Sequence, residues 1–349
     1  MKITGRSLII IASLLFASSL PAQAAHGYRL VPIGDDSQPT GNGSISIYDL
    51  NRRGEVVGSY SAGGPHAFRW RAGTFTDLHW TVGPASSGSQ ATGINDLSTI
   101  VGNKFSDEST EGFVLHGTQV TPLEVAGGDQ VFPGDINNRG QIIVDSYGGT
   151  EFGSFIIDGD RVQHLDGLPD GNGSMQALAL NSRGAVAGSA QSSEGVRAVL
   201  WRDGAIQNLG VPPGGDVSAA YALNDRLEVV GISNISGISH AFHWRNGKMK
   251  LLRDLPQYTS SSAQAINNWG AIVGSATTLT PVYRNTATLW LAGHVVELES
   301  LVRADDPLKP YVHLETASQI NDRGDIVAMG VDSRRPNERI HYFLTLFGQ

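Results

Sequence analysis

The chain contains no cysteine, so neither a disulfide framework nor thiol chemistry is open to it. Its fold must hold by packing and strand pairing. No stretch approaches the ~20 consecutive apolar residues of a membrane-spanning helix. Basic residues are in deficit, with 25 Lys and Arg against 33 Asp and Glu. The resulting formal charge of −8 repels phosphate backbones and argues against nucleic acid as a partner. The sequence also lacks a zinc-protease helix motif, a G-x-S-x-G elbow, a phosphate loop and a dinucleotide fingerprint. Glycine, by contrast, is abundant at 43 of 349 residues, well above the usual ~7 %.

The N-terminus has the three-part layout of a secretory signal peptide. Basic Lys2 and Arg6 precede a short apolar run from Leu8 to Leu15, then Pro21 and the small-residue site Ala22-Gln23-Ala24. Cleavage is expected after Ala24, leaving residues 25–349 as one domain with a charge of −10 once Lys2 and Arg6 are gone. With no cysteine beside the site, lipid anchoring is excluded. The protein is therefore expected to be secreted or periplasmic, monomeric, and without a membrane span.

One signature recurs along the rest of the chain: an aliphatic residue, then Asn, a turn, and a β-branched pair. The anchors are Asn51, Asn95, Asn137, Asn181, Asn224, Asn267 and Asn321, spaced by 44, 42, 44, 43, 43 and 54 residues. Ala91, Ala177, Ala220, Ala263 and Ala317 stand four residues before their anchors. Small residues at that spacing fit strands that crowd around an axis. Glycine follows the anchor by three at Gly54, Gly140, Gly184, Gly270 and Gly324, as a left-handed turn closure requires. Ser98 and Leu227 break this rule, and strain at Leu227 predicts a different turn there.

After each turn come a short apolar strand such as Val56-Val57-Gly58, a polar loop, and a third strand. That third strand is clearest in His66–Trp70 and His240–Trp244. A tight glycine turn, as at Asn246-Gly247, leads to a fourth strand. Four antiparallel strands in ~43 residues is the period of a propeller blade. Helical repeats would need unbroken 3.6-residue apolar stripes, which turn dipeptides interrupt here. The reading is all-β: a seven-bladed β-propeller with four antiparallel strands per blade. The seventh repeat ends at its third strand, Ile340–Leu344, while Tyr28–Ile33 is a strand with no repeat of its own. The last blade is thus expected to be closed by the N-terminal strand, leaving no edge open at the join.

The string H-A-F-x-W, with a following glycine turn, and the string A-x-A-I-N-x-x-G-x-x-V-G-x-S together resemble the HAF-type extracellular repeat family. The best copies are His240–Trp244 and Ala263–Ser275. The third copy departs most, with Asp145 where a glycine is expected and Gly153–Ile157 for its third strand. The resemblance implies an exported propeller-like repeat protein and carries no catalytic residues. No cofactor or metal is implied. His66, His240 and His341 share one repeat position and read as structural, and Asp170–Gly173 reads as a turn rather than a calcium loop.

Binding residues are expected on loops set on the rigid scaffold. The second-to-third loops and the inter-blade connections are the long ones, and they share a face. The longest, Ala276–Thr286 and Glu299–His313, offer Tyr283, Arg284, Arg303, Asp305, Asp306, Tyr311 and His313; Trp80 and Tyr258 lie in two other connections. Such a mixture of aromatic, cationic and acidic groups suits a sugar or peptide site. The leading expectation is a non-enzymatic binding module for a glycan, an envelope polymer or a protein. The alternative is a polysaccharide hydrolase or lyase using Asp305 or Asp306 as acid or base and Arg303 to hold an anionic group.

Overall fold

The computed structural model describes residues 27–34, 44–83, 86–107, 109–150, 152–278 and 283–347. The signal-peptide segment 1–24 lies outside them. Seven four-stranded antiparallel sheets are arranged as blades around an axis. The inner strands are Ile45–Leu50, Gly88–Ile94, Gln130–Ile136, Met175–Leu180, Val217–Leu223, Ser260–Ile266 and Val312–Ile320. Six blades run inner to outer in chain order, whereas the seventh is completed from the other end of the chain. Gly27–Pro32 pairs antiparallel with Arg339–Phe347, Tyr28 facing Leu346 and Pro32 facing Tyr342. The expected closure is therefore present, displaced a few residues toward the C-terminus. Tyr28 is fully buried, and its hydroxyl donates to the Gly324 carbonyl at 3.0 Å.

Each joint between neighbouring blades has its own core. The joint between the first and second blades, for example, packs Val57 and Ala67 against Ile100 and Phe113. The joint that closes the ring packs Val56 and Trp70 of the first blade against Val327 and Phe343 of the last. Trp70, Trp201, Trp244 and Trp290 occupy one repeat position and are all buried, as their spacing implies. The core is thus distributed around the ring, because no blade can bury both of its faces alone.

Every inner strand carries a β-bulge at the same place, between the residues four and two before the anchor Asn, as between Ile47 and Asp49 or Ala177 and Ala179. A bulge adds twist and re-aims side chains. Here it lets seven inner strands converge on the axis. Opposite the bulge the second strand passes so close that a Cβ on Gly58, Gly188 or Gly274 would overlap the carbonyl oxygen of Ser46, Gln176 or Ser262. In the third blade it is Val144, facing Pro133, that occupies this position rather than Asp145. Pairing register locates that departure one residue earlier than the sequence pattern does.

The turn after Leu223 also differs from expectation. It keeps the common form, with Leu227 N–H bonded to the Asn224 carbonyl at 3.1 Å and Leu227 at φ 58. Ser98 adopts φ 61 in the same role. The strain at Leu227, of order 1–2 kcal/mol, is tolerated because the side chain packs against the core between the fourth and fifth blades. Among the described residues, no helix is long and apolar enough to cross a membrane.

Candidate functional site

The anchor asparagines do more than start turns. Asn51 Oδ1 accepts the N–H groups of Arg53 and Glu55, which fixes the turn. Its Nδ2 then donates to the carbonyl of Asn95 in the next blade at 3.0 Å. The same bond repeats from Asn95 to Asn137, Asn181, Asn224, Asn267 and Asn321, and from Asn321 back to Asn51. Seven amides close a complete circle. An amide can do this because it offers acceptor and donor together, which neither Asp nor Ser can do at that geometry.

The residue after the anchor is linked from blade to blade at the surface over five of the seven joints. Arg52 N–H donates to Asp96, Asp96 N–H to Asn138, Asp225 N–H to Asn268 and Asn268 N–H to Asp322, each at 2.7–2.8 Å. The Asn268 side chain bridges Asp225 and Asp322 at 3.0 Å on both sides. Residues from all seven blades thereby enclose an axial mouth of about 210 Å³. Its lining includes Asp49, Asp96, Asp135, Asp225 and Asp322 against a single guanidinium, Arg52. Asp49 and Asp135 fill the bulge position. Each accepts its own strand's next N–H and the N–H of Ile94 or Leu180 in the adjoining blade. Burial raises both carboxyl groups above the usual carboxylate range, and for Asp49 the negative charge of Asp135 adds to it.

The mouth lies on the face of the tight first-to-second turns, opposite the long loops that the sequence pattern singles out. The long-loop face is occupied differently. The extra length between the last two blades runs outward and covers the free edge of the N-terminal strand. Arg303 N–H donates to the Tyr28 carbonyl, and Leu30 N–H donates to Asp306 Oδ2 at 3.0 Å. Arg303 and Asp306 are buried there. Asp305 bridges Arg303 at 2.7 Å and Arg29 at 3.1 Å, and the Arg303 hydrogen bond holds its carboxyl below the usual range. These three residues, expected as binding or acid–base groups, staple the last blade shut at the outer rim.

The other candidates divide. Tyr258 is buried, its hydroxyl 3.4 Å from Glu297, so its ring is no open platform. His313 bridges Glu299 at 2.9 Å and the Asn285 carbonyl at 2.8 Å, which joins the blade-six loop to the blade-seven inner strand. The Glu299 hydrogen bond raises the His313 imidazole above its ordinary range. Tyr283 and Arg284 are exposed beside Asn285, and the exposed Tyr311 carries the Arg334 guanidinium 4.4 Å over its ring. Trp80 stands apart on a single helical turn, His79–Val82, edge-on to the stacked rings of His66 and His79. Among the described residues, no group of three or more His, Asp or Glu side chains is arranged to hold a metal ion. No sequence pattern marks the axial mouth, because its acids stand one after or two before the anchor in only some repeats and the shared axis exists only once the ring closes.

No family model matches the chain, and no curated protein matches it. Solved structures do. The β-propeller domain of the Trilobed protease from Pyrococcus furiosus, which has an open velcro topology, is 9 % identical with a TM-score of 0.55, over 87 % of this chain and 94 % of that one. YCF48 bound to D1 peptide is 12 % identical with a TM-score of 0.52, over 94 % and 100 %. YCF48 from Cyanidioschyzon merolae is 10 % identical with a TM-score of 0.54, over 91 % and 98 %. At such identities the likeness is one of fold: the chain is a seven-bladed β-propeller.

Proposed function

We propose that this protein is an exported, non-enzymatic binding module whose axial mouth takes a cationic side chain from a segment of a partner protein. The observation that carries the reading is the lining of the mouth, five Asp side chains against one guanidinium on a rigid ring, with Asp96, Asp225 and Asp322 at the surface. Fixed acceptors need no rearrangement on binding, and a cation entering them replaces water with preorganised charge. The peptide-bound YCF48 structure supports a peptide as the class of ligand for a propeller of this shape. Export rests on residues 1–24, and the HAF-type resemblance agrees with it. The test compares labelled lysine-containing, neutral and glutamate-containing peptides of equal length by fluorescence anisotropy against residues 25–349. Preferential binding of the lysine peptides supports the reading; equal or reversed preference refutes it.

A further inference from the structure

The same face carries a second cavity of opposite character. Between the fifth and sixth blades a groove of about 480 Å³ opens beside the turns at Arg226, Arg245 and Gly270. Its walls carry Arg226, Arg245 and Arg253 with His243 and His294, and one carboxylate, Glu228. Glu228 is buried and contacts Arg226 at 2.7 Å and Arg245 at 3.2 Å. Arg253 is exposed and forms no salt bridge among the described residues. The groove therefore holds an excess of positive charge in a protein whose overall charge is −8.

The floor is apolar and pinned. Leu252, Trp269 and Trp290 line it. Both indole N–H groups are already used, Trp269 donating to the Asp322 carbonyl and Trp290 to the Arg253 carbonyl, each at 2.8 Å. The floor thus offers apolar surface and no indole donor. A sugar can lay only its C–H face on the indoles, and any hydroxyl turned into the apolar floor goes unpaired at a cost of about 1–3 kcal/mol. An apolar side chain meets no such cost. The equivalent groove between the third and fourth blades, about 590 Å³, has the same construction, with Trp201 N–H donating to the Asp166 carbonyl. There, however, Arg161, Arg183 and Arg202 are matched by Asp158, Asp166 and Asp203. The charge excess thus sets the fifth–sixth joint apart from the third–fourth.

We infer that this groove binds a carboxylate attached to an apolar body, of the kind a peptide presents at a C-terminal aromatic or aliphatic residue. The carboxylate meets Arg253, whose guanidinium is exposed, and the apolar group lies on the neighbouring Leu252 and on Trp269. The inference is independent of the axial mouth.

The test titrates residues 25–349 with N-acetyl-phenylalanine, its amide and glucuronate, read by saturation-transfer NMR and tryptophan fluorescence. The acid binds at least about tenfold more tightly than the amide, the worth of one charge-assisted hydrogen bond. It also binds more tightly than glucuronate. Arg253→Gln weakens the acid by a similar factor with an unchanged melting temperature, whereas Arg183→Gln in the charge-balanced groove has no effect. Equal binding of acid and amide, tighter binding of glucuronate, no binding of the acid, or an Arg253→Gln protein that binds as the parent does would each overturn it.

Discussion

Asn321 Nδ2 donates to the main-chain carbonyl of Asn51 at 3.0 Å across 270 residues of sequence, and that bond turns a row of repeats into a ring. Asn321 Oδ1 meanwhile accepts from Arg323 and Asp325, so one buried side chain serves four partners with its further bond to Asp325 Oδ2. Replacing it with Ala leaves buried donors and acceptors unpaired on both blades. Asn321→Ala should lower stability by about 2–4 kcal/mol, near the upper range for single polar substitutions. Urea denaturation followed by tryptophan fluorescence measures this, and a loss below about 0.5 kcal/mol, the level of a neutral surface change, would show that the circle is decorative.

The bulge sets up a second prediction. A methyl group on Gly274 would overlap the Ser262 carbonyl oxygen, and both strands there are fixed by ladder bonds. Gly274→Ala should cost more than about 2 kcal/mol, because backbone must move on both strands. Gly293→Ala, at a turn where a Cβ meets nothing but φ is 82, is the comparison. It carries only the left-handed penalty of about 1–2 kcal/mol. Thermal melting of the two variants ranks them, and a smaller loss for Gly274→Ala would contradict the close approach.

Asp49 gives a pH prediction. Burial first, and then the charge of Asp135, raise its carboxyl in the folded state, whereas the unfolded chain titrates normally. The folded state therefore holds the proton more tightly, and the group's contribution to stability falls as pH rises above the unfolded value of about 4. It levels off once the folded group has ionised. Asp49→Asn imitates the protonated form and should remove this slope. The stability of the Asn variant relative to the parent should then increase between pH 5 and pH 9. Denaturant midpoints across that range decide it, and a constant difference would mean that Asp49 titrates as an ordinary surface carboxylate.

Much of the architecture was legible because repeated turns write themselves into sequence. The Asn anchors, the Trp position and the separate strand Tyr28–Ile33 each leave a periodic or an unmatched mark. The site was not legible in the same way. Asp305 and Asp306 looked like loop carboxylates, but what gives them their task is the N-terminal strand edge, some 276 residues away in sequence. The axial acids are invisible for the complementary reason. Asp49 and Asp135 lie in inner strands whose equivalent positions hold Gly93, Ala179, Ala222, Ala265 and Gln319, so no repeat consensus marks them. Leu227 misled in a simpler way, since packing against a neighbouring blade outweighed its backbone preference.

The binding role of the axial mouth is tested most directly by calorimetric titration of a lysine-containing peptide into the parent protein and into Asp225→Asn/Asp322→Asn. These two acids are linked through Asn268 and bear no part of the core. The double variant gives up the bonds from the Asn268 amide. The account predicts that it melts modestly below the parent, remains folded at the titration temperature and binds about tenfold or more weakly, as befits two lost charge contacts. It also predicts that parent binding tightens from pH 6 to pH 9 as Asp49 ionises and weakens with added salt. Unchanged affinity in the double variant, or affinity indifferent to both pH and salt, would contradict it.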